Sequence, residues 1–67
     1  MRLEDACALA QEIAREWPRY VVTKIERGPS LTEDRYTLTV WRARDAATLS
    51  VGDRAMWRTL RYVDEVE

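Results

Sequence analysis

The sequence predicts a small α+β domain in the order α-β-β-(β)-α, with two helices packing an antiparallel hairpin or three-stranded sheet. Three observations predict it. Apolar residues recur at helical spacing over 2–16 and again from Arg54. Two runs rich in β-branched residues, 19–27 and 35–43, lie between them. A Gly28-Pro29-Ser30 break separates those runs. At 67 residues, the chain is expected to form one domain spanning 1–67.

In the first element, Leu3, Ala6, Cys7, Leu9, Ala10, Ile13, Ala14 and Trp17 fall within about 160° of a helical wheel. Glu4, Asp5, Gln11, Glu12, Arg15 and Glu16 take the other side with Ala8. Glu4 and Asp5 sit in the first turn and Arg15 in the last, as the helix dipole favours. Pro18 cannot continue the helix and pushes Trp17 out of α geometry. Arg19–Arg27 follows as a strand, with Tyr20 and Val22 on one face and Val21 and Ile25 on the other. A loop reaching about Asp34 leads to Arg35–Ala43, where Tyr36, Leu38 and Val40 alternate with Thr37, Thr39 and Trp41. Asp45-Ala46-Ala47 reads as a turn and Thr48–Val51 as a short third strand. Gly52 breaks that strand and Asp53 offers an N-cap. From Arg54 the spacing of Met56, Leu60 and Val63 predicts a helix to about residue 65, against a competing strand through Trp57–Val63. The expected core is Leu3, Leu9, Ile13, Trp17, Val21, Ile25, Leu38, Val40, Met56, Leu60 and Val63.

A domain this short buries only about 60% of its unfolded surface, so its core is marginal. The single Cys7 excludes a disulfide within the chain, and one Cys with no His cannot build a closed zinc site. Partner binding or self-association remains as a route to further burial. One unpaired cysteine, no apolar leader after Met1 and no membrane-length apolar run point to a cytoplasmic protein away from membranes.

Catalytic equipment is sparse. Histidine is missing, and the adjacent acids Glu33-Asp34 and Asp64-Glu65 read as solvated pairs. Ser30 and Ser50 lack a nucleophile setting, and neither Gly28 nor Gly52 belongs to a phosphate-cradling pattern. Cys7 lies on the apolar arc and reads as a small buried hydrophobe rather than a reactive thiol. No enzyme, no cofactor, no metal and no small-molecule substrate are expected.

The charge map is lopsided. Arg35, Arg42, Arg44, Arg54, Arg58 and Arg61 face only Asp45 and Asp53 within 35–61, giving that stretch +4 in a chain of net charge −1. Trp41 and Trp57 are embedded in it, each followed by an arginine. If both helices cover one face of the sheet, Trp41 stands on the open face with Thr37 and Thr39, sharing parity with Arg35. There it can anchor a partner, or pack across the strands over Val22 or Lys24. Arg54, Arg58 and Arg61 line one helical face, suited to phosphates or to pairing with the acidic first helix and Asp64, Glu65 and Glu67. An exposed strand edge at Arg35–Ala43 would let a sheet pair across a dimer.

The α-β-β-β-α order is similar to that of double-stranded-RNA-binding domains. Those domains carry a lysine-rich start to the second helix, where this chain reads Gly52-Asp53-Arg54-Ala55. The phosphate-binding lysines are gone, so element order alone carries no function. The sequence therefore points to a non-catalytic protein–protein interaction or regulatory module, able to self-associate as a homodimer, that binds through Trp41, Thr39, Arg35 and Trp57. The alternative is a nucleic-acid-binding protein using Arg42, Arg44, Arg54, Arg58 and Arg61.

Overall fold

The computed structural model describes residues 1–28 and 35–66. They form α1 (Leu3–Glu16), β1 (Tyr20–Arg27), β2 (Tyr36–Arg42), β3 (Ala47–Val51) and α2 (Arg54–Val66). The three strands make one antiparallel sheet ordered β1-β2-β3. This is the α+β order expected from the sequence, with the third strand and the C-terminal helix both present. Pro29, Ser30, Glu33, Asp34 and Glu67, with the loop that joins β1 to β2, lie outside the described residues.

Local chemistry sets each boundary. Helix α1 carries Glu4 and Asp5 in its first turn, and its last hydrogen bond runs from the Trp17 N–H to the Ile13 carbonyl at 2.9 Å, just before Pro18. Its buried residues, Ala6, Leu9 and Ile13, follow the i, i+3, i+7 spacing of one face. Asp53 caps α2: the Met56 N–H donates to Asp53 Oδ1 at 2.7 Å. Strands β2 and β3 are joined through Ala43–Ala46, where Ala46 takes a positive φ of 52°. Arg42 braces the turn, donating from Nε and Nη2 to the Asp45 carboxylate at 3.0 and 2.5 Å.

A bulge in β1 changes the expected faces. Val22 pairs with Val40, but Lys24 pairs with Thr39, so Thr23 is the extra residue. The Thr23 hydroxyl donates instead to the Thr39 carbonyl at 3.2 Å. Tyr20, Val22 and Ile25 therefore share the face of Leu38 and Val40, while Val21 turns outward with Trp41. Strict alternation had put Val21 and Ile25 together, and the bulge separates them.

The core is Ala6, Leu9, Ile13, Tyr20, Leu38, Val40, Val51 and Trp57, with Trp17, Val22, Tyr36 and Leu60 packed against it. Both helices thus cover one face of the sheet. Five expected core residues, Leu3, Val21, Ile25, Met56 and Val63, are instead exposed. For Met56 and Val63 the reason is rotation: α2 turns Trp57 and Asp64 inward, so the apolar stripe read from the sequence is its flank. Ile25 borders a cleft of about 570 Å³ along β1, which Ala10, Gln11, Ala14 and Pro18 line from the α1 side. The expected strand edge at Arg35–Ala43 is absent because β2 is the central strand, paired on both sides. The edges are β1 and β3.

Candidate interaction surface

With both helices on one side, the opposite face of the sheet is uncovered by either. Across it runs a row joining all three strands, in which Val21, Trp41 and Thr48 are direct cross-strand neighbours. Val21 is 48% exposed, Thr48 is exposed and Trp41 is half-buried between them. Val21 and Thr48 thus stand directly opposite Trp41, while Val22 lies on the other face and Lys24 opposes Thr39 in the next row of the same face. Thr39 occupies the next row, between Lys24 and Ser50. Exposed Arg35 precedes β2 at the strand's far end, and its carbonyl accepts the Gly28 N–H at 2.6 Å. The structure thus places Trp41 and Thr39 on one surface, with Arg35 near its end.

Trp57 does not belong to that surface. Expected as a contact residue, it is 1% exposed and sits at the centre of an aromatic cluster. Its ring meets Tyr20 edge-on at 4.9 Å between centroids and Trp17 at 6.5 Å. Arg61 lays its guanidinium 3.8 Å above the Trp17 ring. The same helix places Asp64 against the start of β1, where it accepts the Tyr20 hydroxyl and, at 2.8 Å, Arg44 Nη1. A cleft of about 450 Å³ opens here, lined by Trp17, Pro18, Tyr20, Arg61, Asp64 and Glu65.

Neither Tyr20 nor Asp64 in that cleft is suited to proton transfer near neutrality. Burial, reinforced by the hydrogen bond to Asp64, pushes the Tyr20 phenol up to about 12. The hydrogen bonds from Tyr20 and Arg44 hold the Asp64 carboxyl below its ordinary range. Tyr20 thus stays protonated and Asp64 ionised across physiological pH. Sequence reasoning missed this cluster, although the Trp57, Arg61, Asp64 spacing of i, i+4, i+7 could have found it.

Most of the arginine set is engaged within the chain. Arg42 pairs with Asp45, Arg44 with Asp64 and Arg54 with Glu12 of α1 at 2.8 Å. The Arg42–Asp45 hydrogen bond raises the guanidinium pKa and lowers that of the carboxyl. Arg61, over Trp17, also approaches Glu65 at 3.7 Å. Arg58 is exposed and has no ion pair among the described residues. The stripe of Arg54, Arg58 and Arg61 therefore exists, with two of its three members turned toward α1.

Cys7 is half-buried on α1 rather than fully buried. Among the described residues no group of three or more His, Cys, Asp or Glu side chains could hold a metal ion, and no helix is long and apolar enough to cross a membrane. The chain matches no protein-family model, no curated protein and no solved structure.

Proposed function

We propose that this chain is a small non-catalytic protein–protein interaction module of the cytoplasm, binding through the open face of its sheet. The observation that carries it is the Val21-Trp41-Thr48 row, an aromatic and an aliphatic side chain side by side on a face neither helix covers. A large ring flanked by an exposed valine and threonines supplies apolar contact area with little side-chain entropy to lose, the composition favoured at interface centres. The neutral Tyr20 and the fully engaged Asp64 support a binding role over a catalytic one. A single half-buried cysteine is compatible with a reducing compartment.

The test is capture of partner proteins on the immobilised chain, with Trp41→Ala and Val21→Lys as controls that keep their thermal melting. Retained proteins that both variants lose would support the open face. Retention unchanged by Trp41→Ala, or no specific retention, would remove it. Nucleic-acid binding through Arg42, Arg44, Arg54, Arg58 and Arg61 draws less support, because only Arg58 can meet a phosphate without surrendering a contact within the chain.

A further inference from the structure

The two sheet edges differ in a way that points to one of them as an interface. Strand β1 is blunted by its bulge and carries Lys24, Glu26 and Arg27, devices that discourage further pairing. Strand β3 has none of these. Ala47, Thr48, Leu49, Ser50 and Val51 pair with β2 without a register shift, and the strand has no charge and no proline.

The helix above that edge has the same character. Arg54 reaches Glu12 and Arg61 covers Trp17, so that side of α2 faces α1. At about 100° per residue, Met56, Thr59 and Val63 lie roughly 140–200° around the helix from Arg54, on the flank turned away from α1. Met56 is 44% and Val63 47% exposed, and from Tyr62 and Ala55 round to Leu60 the arc carries no charge. Helix α2 contacts β3 at one end and Tyr20 of β1 at the other, and the Gly52 N–H donates to Met56 Sδ at 3.4 Å, so Met56 of the neutral flank lies beside the end of β3. In a chain 34% charged, a strand and a helical flank together free of charge form a distinct surface.

We infer that this surface joins two copies of the chain through antiparallel β3–β3 pairing, giving a continuous six-stranded sheet. The inference goes beyond the open-face role: it uses the β3 edge, and its partner is the chain itself. A two-fold axis through Leu49, perpendicular to the sheet, sets Ala47 opposite the partner's Val51 and Thr48 opposite the partner's Ser50. Every cross-strand pair it makes is neutral, so self-pairing meets no like-charge penalty. The same axis keeps all four helices on one side of the sheet and pairs the outer backbone groups of β3.

Light scattering on the full chain tests this, and the expected mass is twice the 7.9 kDa of one chain. Thr48 and Ser50 are exposed, so a Thr48→Lys/Ser50→Lys variant should retain its circular dichroism while each row sets like charges opposite one another. Its dimer dissociation constant should rise roughly tenfold or more. Mixing it with a Thr48→Glu/Ser50→Glu variant should restore a dimer containing one chain of each kind, which damage to the fold could not produce. A wild-type chain with the mass of one copy at all micromolar concentrations overturns the inference, and partner capture through Trp41 would then leave the interaction role standing. Because Thr48 also belongs to the open face, Trp41→Ala separates the two surfaces: a dimer it leaves intact supports β3 pairing, and a dimer it abolishes, whatever the lysine pair does, overturns the β3 surface and keeps self-association on the open face.

Discussion

At the scale of single residues, the most consequential position is Trp57. It is 1% exposed and touches both Tyr20 and Trp17, so truncation opens a large cavity. Trp57→Ala should cost about 3–5 kcal/mol, measured by urea unfolding, which is a large share of what a domain of this size commands. The Tyr20–Asp64 contact makes stability depend on pH at both extremes. A phenol raised from 10.0 to about 12 in the fold contributes stability below pH 10 that is lost between 10 and about 12 as it ionises. Asp64 works in the opposite sense. Its depressed value contributes stability above the unfolded carboxyl value, lost as acid titrates the folded group. Tyr20→Phe should therefore flatten the alkaline limb of a stability–pH curve, and Asp64→Asn the acid limb. If either limb keeps its wild-type slope, the contact does not couple to folding as described. Ala46, held at φ 52°, is strained for a residue with a side chain. Ala46→Gly should raise the urea midpoint, equivalent to about 0.5–1 kcal/mol.

At the scale of elements, α2 depends on its first turn. Asp53 supplies the cap by accepting the Met56 N–H, and the helix has no acidic residue in its first turn to help it. Asp53→Ala should destabilise the protein by about 0.5–2 kcal/mol in denaturant unfolding, whereas Asp53→Ser should keep most of the wild-type stability. The existence of α2 was legible because Met56, Leu60 and Val63 repeat at helical spacing beyond a Gly-Asp boundary. Its rotation was not. An arc that holds Trp57, Leu60, Arg61 and Asp64 looks polar when each residue is judged alone. It is inward because Arg61 spreads over Trp17 and Asp64 is bound by Tyr20 and Arg44. Strand β1 carries the same lesson. Period two read along its sequence joins Val21 to Ile25, and the extra residue at Thr23 parts them.

At the scale of the whole molecule, charge is arranged to hold the chain together more than to attract a polyanion. Arginines of the β2–β3 turn and of α2 meet acids of α1, the turn and α2 itself. Short duplexes or single strands should accordingly leave the light-scattering mass unchanged at physiological salt. A mass shift that falls steeply with added salt would promote Arg58 and its neighbours instead.

The sequence by itself determined the order of elements and the two helical periods. It also determined the cap at Asp53 and the placement of Trp41 with Thr37 and Thr39, since these follow from neighbours a few residues apart. Only the tertiary structure decided which strand is central, which face of α2 is buried, and that Trp57 is core while Val21, Met56 and Val63 are surface. The reason is physical. Local periodicity names an amphipathic side, but a bulge, a cation over an indole ring and a carboxylate bound from two directions depend on residues 16 to 44 positions apart. Such partners are specified only once the chain has closed on itself.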